Sequence, residues 1–184
     1  MGEVLEKFHP LDRRELKIFF QDEARFGRMS TLYKCWCPLG IRPNLKKSLE
    51  REFTYSYTSI EPATGESFSY ILPQVNNVSM KLYLEEMSKY YKENRIIIIM
   101  DSASFHGLSN LNNIDNIHIL HLPAYSPELN PVESFWNYLR KNYFGNKYWK
   151  SIDELEIYLK AVLNDVHVNE KETLRSLTNF SWIN

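Results

Sequence analysis

Arg95-Ile96-Ile97-Ile98-Ile99-Met100-Asp101 is the stretch that decides how this chain folds. Four consecutive isoleucines and a methionine make a continuous apolar run, without the alternation of a half-exposed strand. A run of this kind suits the central strand of a parallel sheet, covered by helices on both faces. The reading is therefore an α/β fold. Ligands in open α/β sheets collect outside the carboxyl ends of the strands, which is where Asp101 stands. By itself, an aspartate at that position is equally compatible with a turn former or a helix cap.

Upstream, Lys17–Gly27 (KIFFQDEARFG) is rich in aromatic and branched residues and ends on a glycine. It reads as a strand with Asp22 near its far end. Alternation sends Asp22 and Glu23 to opposite faces, so at most one of them serves a given site. Downstream, Leu122–Trp136 (LPAYSPELNPVESFW) places Pro123, Pro127 and Pro131 close together and then turns helical. Pro131 suits a first helical position, where its missing N–H would be unpaired anyway. Asn130 is a good N-cap, and Val132, Trp136, Leu139 and Tyr143 recur at helical spacing. A rigid loop thus delivers Glu133 into the first turn of an amphipathic helix. Asn130 and Glu133 also fit a capping box, in which the glutamate would bond back to the backbone N–H of the cap.

Working outward, the pattern predicts strands near 16–23, 31–37, 51–60 and 66–72. It then predicts a helix near 77–93 with Met80, Leu84, Met87 and Tyr91 on one stripe, strands near 95–101 and 116–122, and a helix near 131–143. Two closing helices start at Ser151, with Glu154 completing a capping box, and near Asn169, with Glu172 three residues on. Residues 1–12 read as a tail or leader, and 13–184 as one domain, large enough to bury roughly 70% of its unfolded surface.

The 184 residues are 43% hydrophobic and 14% aromatic, ample material for a core. The longest aliphatic run, Ile96–Met100, is far short of the ~20 residues a membrane span needs, and the amino terminus has no apolar signal segment. A soluble intracellular protein is expected. A net charge of −1 argues against binding nucleic acid, but the positive charge is gathered in two places, which weakens that objection. Arg42, Lys46, Lys47 and Arg51 cluster in one stretch. Arg140, Lys141, Lys147 and Lys150 are interleaved with Tyr143, Phe144, Tyr148 and Trp149 in another. Basic residues with aromatics between them suit phosphate contacts and base stacking, although cations near a helix C-terminus also answer its dipole. Arg140 follows Glu133 by two helical turns and shares roughly its face. Cys35 and Cys37, two apart on the expected strand, read as buried free thiols, since no second ligand pair accompanies them. His118 and His121 fall on opposite faces of their strand.

In sequence order the singled-out carboxylates are Asp22, Asp101 and Glu133. With QDEARFG (21–27), CWCPLGIRP (35–43), MDSASFH (100–106) and LPAYSPELNPVESFW (122–136), the chain closely resembles the DDE transposases of the mariner superfamily, particularly their bacterial insertion-sequence branch. The last motif is long and highly specific; the short ones add weight through their order. The resemblance implies a ribonuclease H-like fold with a five-stranded mixed sheet flanked by helices. It also implies that Asp22, Asp101 and Glu133 form the catalytic Asp-Asp-Glu triad. Ser102 stands where the family usually has asparagine, and the interval from Asp101 to Glu133 is slightly short, but neither departure removes a carboxylate. His106 matches the family's histidine and would contact substrate phosphate or make a structural hydrogen bond.

The implied activity is metal-dependent cleavage and strand transfer of DNA by the catalytic domain of an insertion-sequence transposase. Its implied cofactors are two divalent cations, Mg²⁺ with Mn²⁺ substituting, held by Asp22, Asp101 and Glu133. Two such ions can stabilise the attacking and leaving oxygens of an in-line displacement, and Mg²⁺ prefers hard oxygen ligands. Arg140, Lys141, His106, Lys46 and Lys47 are the candidate DNA contacts. The implied partners are transposon ends and target DNA, with a homodimer on DNA and a cytoplasmic, nucleoid-associated setting. The 21 residues before Asp22 are too few for the helix-turn-helix module that reads terminal repeats, so that module, or a split-frame partner carrying it, would be separate. Weak, salt-sensitive binding indifferent to repeat sequence is then expected. A nuclease that cuts without joining, and an idle DNA-binding or assembly domain, are the alternatives.

Overall fold

The computed structural model describes residues 12–101, 114–123 and 126–180. Five strands form one sheet: β1 (Glu15–Gly27), β2 (Phe53–Glu61), β3 (Glu66–Leu72), β4 (Asn94–Met100) and β5 (Ile117–His121). Four α-helices accompany them: α1 (Asn77–Tyr90), α2 (Val132–Leu139), α3 (Ile152–Asn169) and α4 (Lys171–Thr178). The strand order is β3-β2-β1-β4-β5. The first three strands pair antiparallel, whereas β1, β4 and β5 run parallel. This is the mixed sheet of the ribonuclease H-like fold.

The isoleucine run behaves as its composition demands. Ile96, Ile98 and Met100 pack with Phe19, Tyr57, Met80, Tyr83, Leu84 and Met87 beneath α1. On the opposite face Ile99 meets the core built from Phe20, Phe26, Trp136, Leu139, Leu159 and Val166. With apolar layers on both sides, β4 has no position at which a polar residue would be solvated, which explains the absence of alternation. Truncating Ile98, which is fully buried, to alanine should cost about 2–5 kcal/mol.

Several expectations are corrected. No strand forms over 31–37; residues 28–52 make an irregular excursion that leaves the sheet at Gly27 and returns at Phe53. Its stem is closed by backbone bonds from Arg28 N to Glu52 O (3.1 Å) and from Ser30 N to Ser48 O (3.3 Å). The strand-like composition of 31–37 has no neighbour to pair with, and propensity without a partner makes no strand. Cys35 and Cys37 are consequently exposed, not buried. β1 runs past Asp22 to Gly27, because β2 continues to pair with it as far as Phe53. The helix expected over 131–143 is α only to Leu139, and Arg140–Phe144 form a π turn. That turn is held by Glu170, which accepts hydrogen bonds from the hydroxyls of Tyr138 (2.6 Å) and Tyr143. Glu170, at the α3–α4 junction, also takes the cap position that Asn169 was expected to fill.

Candidate active site

The parallel pairing of β1 with β4 ends at Phe20 opposite Ile99. Asp22 stands two residues further along β1, and Asp101 directly follows Met100, the last residue of β4. There β4 stops while β1 continues against β2, with Asp22 opposite Thr58. Asp22 therefore lies beside the carboxyl end of β4, and the sheet opens a notch at this level.

Helix α2 is fastened to that notch by two bonds. Asn130 Nδ2 donates to the carbonyl of Gln21 (3.0 Å), while its Oδ1 accepts from Val132 N (3.2 Å). One asparagine thus caps the helix and joins it to β1 one residue before Asp22. Trp136, only 1% exposed, donates its indole Nε1–H to Asp22 Oδ2 (2.9 Å). Glu133 projects from the first turn of the same helix and is exposed. Among the described residues its carboxylate makes no bond back to Asn130, so the capping-box geometry is absent and the side chain is free of that duty.

The electrostatics are strained in one direction. Burial, then Glu133, then Glu23 push the Asp22 carboxyl up to about 7, and the Trp136 N–H only partly offsets them. Burial raises Glu23 as well; Gln21 Nε2, donating at 2.9 Å, opposes this, and Asp101 adds to it. Asp101 is raised by burial and by Glu128, and its Oδ1 is buried with no hydrogen-bond partner among the described residues. Like charges in a partly desolvated notch disfavour ionisation unless a cation answers them.

The structure brings Asp22 and Glu133 into electrostatic contact. Asp101 is raised instead by Glu128 and itself raises Glu23, and among the described residues no three metal-ligating side chains converge. The donor set nonetheless fits a hard divalent cation: every ligand is a carboxylate oxygen, one of them is orphaned, and another is held partly protonated by its surroundings. Glu23 and Glu128 were not singled out from the sequence. Only the cross-strand register and the return of the proline-rich loop bring them to Asp101, so neither left a local signal.

The basic candidates distribute unevenly. Arg140 lies against Phe26, its Cζ 6.0 Å from the ring centroid, on the same face of β1 as Asp22 but four residues further along. Lys46 reaches across to Tyr148, its Nζ 5.8 Å from that ring, so the two basic stretches meet. Lys47 and Lys141 are exposed, and His106 falls outside the described residues. A cleft of about 630 Å³ lined by Phe68, Tyr70, Lys160 and His167 lies along the edge strand β3, two strands away from the carboxylates. Cavity size is thus no guide to the chemistry here. No helix among the described residues is long and apolar enough to cross a membrane.

A family profile described as DDE superfamily endonuclease matches residues 17–156. The uncharacterized protein y4pE/y4sA of Sinorhizobium fredii is 30% identical over 131 residues, covering 71% of this chain and 96% of the relative. Among solved structures, a pre-cleavage Mos1 transpososome matches with a TM-score of 0.61 and 13% identity, over 89% of this chain and 56% of that chain. The Mos1 strand transfer complex matches at 0.60 and 14%, over 89% and 55%. The Mos1 mariner paired end complex with Mn matches at 0.60 and 15%, over 88% and 53%. These structural likenesses are of fold, and the chain spans about half the length of the Mos1 chains it matches.

Proposed function

The chain belongs to the DDE superfamily endonucleases, and from that premise we propose that it cleaves and joins DNA strands as the catalytic domain of an insertion-sequence transposase. The observation that carries this reading is the pairing of Asp22 with Glu133. Asn130 and Trp136 fix their helix and strand together, at the point where β4 ends in Asp101.

Asp22, Asp101 and Glu133 are the residues that would hold Mg²⁺ or Mn²⁺. When bound, such cations supply Lewis-acid stabilisation of the oxygens entering and leaving phosphorus. The chain's own residues prepare the site. Trp136 holds one oxygen of Asp22, fixing the carboxylate beside the helix that carries Glu133. With its carboxyl raised to about 7, Asp22 retains a proton in much of the metal-free protein near neutrality, and that proton must leave before the carboxylate can ligate. Glu133, exposed on a helix anchored at its first turn, presents its charge without having to reorganise the fold.

DNA is the proposed substrate, at transposon ends and in the target, with Arg140, Lys141, Lys46 and Lys47 as contacts. Two copies acting together on DNA, and a separate helix-turn-helix module, belong to the same proposal, as does a cytoplasmic, nucleoid-associated setting. An idle assembly domain is the second reading. What favours it is that, among the described residues, the three carboxylates do not converge. Incubation with Mn²⁺ or Mg²⁺ and labelled, pre-nicked DNA ends separates the possibilities. Joined products support the transposase, cut products alone indicate a nuclease, and intact DNA indicates the idle domain.

A further inference from the structure

Beyond the carboxylates, the continuing end of β1 and the π turn enclose a small cleft of about 70 Å³. Arg140 and Lys147 line it together with Phe26, Phe144 and Trp149. Arg25 lines it from β1 itself, its guanidinium turned to the opposite face of the strand and lying over Phe53 at 4.5 Å. Among the described residues no lining side chain is acidic, and neither Arg140 nor Lys147 takes part in an ion pair. Each is parked against an aromatic ring instead: Arg140 over Phe26 at 6.0 Å and Lys147 over Tyr158 at 4.6 Å. Arg28, one strand step beyond Gly27, shows the contrast, since Glu52 neutralises it. Ring contacts orient a cation without cancelling its charge, so the cleft keeps an uncompensated positive potential at an apolar wall.

We propose that this cleft seats a single backbone phosphate of the DNA strand being cut. The inference rests on the DNA-cleaving reading above and adds to it a defined subsite built by Arg140 and Lys147. Its position sets the spacing. Phe26 follows Asp22 by four residues on the same face of β1, about 13 Å along the strand. A duplex strand advances about 3.4 Å per nucleotide along its axis, so the seated phosphate lies about four nucleotides from the scissile bond. Guanidinium groups offer forked donors to phosphate oxygens, and the lysine adds a point charge.

The test scans a labelled DNA end with one neutral methylphosphonate at a time, measuring binding by wild type, Lys147→Gln and Arg140→Gln. Wild type should lose roughly eightfold in affinity at ~0.1 M salt when the seated phosphate is neutralised, the value of one released counterion. Each variant should bind intact DNA correspondingly more weakly, with a salt slope smaller by about one, and should be indifferent to the methylphosphonate at that position. Identical scans for wild type and both variants would overturn the subsite while leaving the DNA-cleaving reading intact. Failure of wild type to bind any DNA end at low salt would overturn both. Inorganic phosphate provides the remaining arm. If it raises the melting temperature of wild type and not of the variants while the scans coincide, the cleft takes a free anion and the proposal fails.

Discussion

Two places on β1, about 13 Å apart, leave charge unanswered in opposite senses. At Asp22 the neighbours are Glu133, Glu23 and buried surface, and what favours the charge is a neutral indole N–H and the backbone N–H of Glu23. At Phe26 the neighbours are Arg140 and Lys147, supported by rings and not by carboxylates. Lys17, by contrast, is neutralised by Glu61 and Glu66. The difference suits the two regions to ligands of opposite sign. A metal-dependent enzyme acting on a polyanion has both requirements on one surface.

The hardest blow to this contrast would come at Glu133. Glu133→Gln should bring metal-dependent nicking of labelled DNA close to background and leave the metal-free melting temperature almost unchanged, because no capping box is lost. Glu133→Ala should add at most about 1 kcal/mol of helix destabilisation. A Gln variant nicking at the wild-type rate would remove Glu133 from the site.

Asp22→Asn sharpens the acidic side. A carboxyl raised to about 7 binds its proton more tightly in the folded state than in the unfolded chain. Its contribution to stability is therefore full below pH ~4 and is lost as pH rises towards 7 and beyond. The asparagine variant should match wild type near pH 4 and exceed it by about 1–3 kcal/mol at pH 8 without metal. It should also show little of the rise in melting temperature that Mg²⁺ or Mn²⁺ gives wild type. Melts across pH, with and without metal, measure both effects, and equal metal responses would place the cations elsewhere.

Trp136→Phe tests the one side chain that favours the charged form of Asp22. Loss of the N–H should raise that carboxyl further, moving the acidic limb of the nicking rate to higher pH, and should cost about 1.5–3 kcal/mol for a bond to a charged acceptor. A pH–rate profile that does not move would show that Asp22 is not the titrating group. The smallest effect belongs to Arg28→Gln. Arg28 is already paired with Glu52 and donates to the carbonyls of Trp149 and Lys150. Its loss should lower the melting temperature only slightly while leaving the salt slope of DNA binding unchanged, unlike Lys147→Gln.

What the sequence disclosed follows from how local each signal is. The isoleucine run announced β4 because burial on both faces is written residue by residue. Ser151 likewise announced α3: its hydroxyl accepts from Glu154 N (3.2 Å), although Glu154 in return accepts from Lys150 N and not from the cap. Glu133 was found through its motif, but whether it completes a capping box was open until the bonds of Asn130 were seen. The false strand at 31–37 and the misplaced end of β1 share one cause: pairing is decided by a partner distant in sequence. The cationic cleft was half legible. Arg140 and Lys147 stood out by composition, whereas Phe26, on a strand over a hundred residues earlier, joins them only through tertiary contact.

The closed stem of the 28–52 excursion carries a consequence for how this domain can vary. Arg28 and Glu52 bring the two ends together beside the Gly27–Phe53 pair, so the sheet senses the stem and not the length of chain beyond it. Closure entropy grows only logarithmically, and doubling such a loop costs about 0.6 kcal/mol. Descendants of this chain are therefore free to lengthen, shorten or rewrite that segment, acquiring new surfaces at almost constant stability, while the strand that bears Asp22 stays in register.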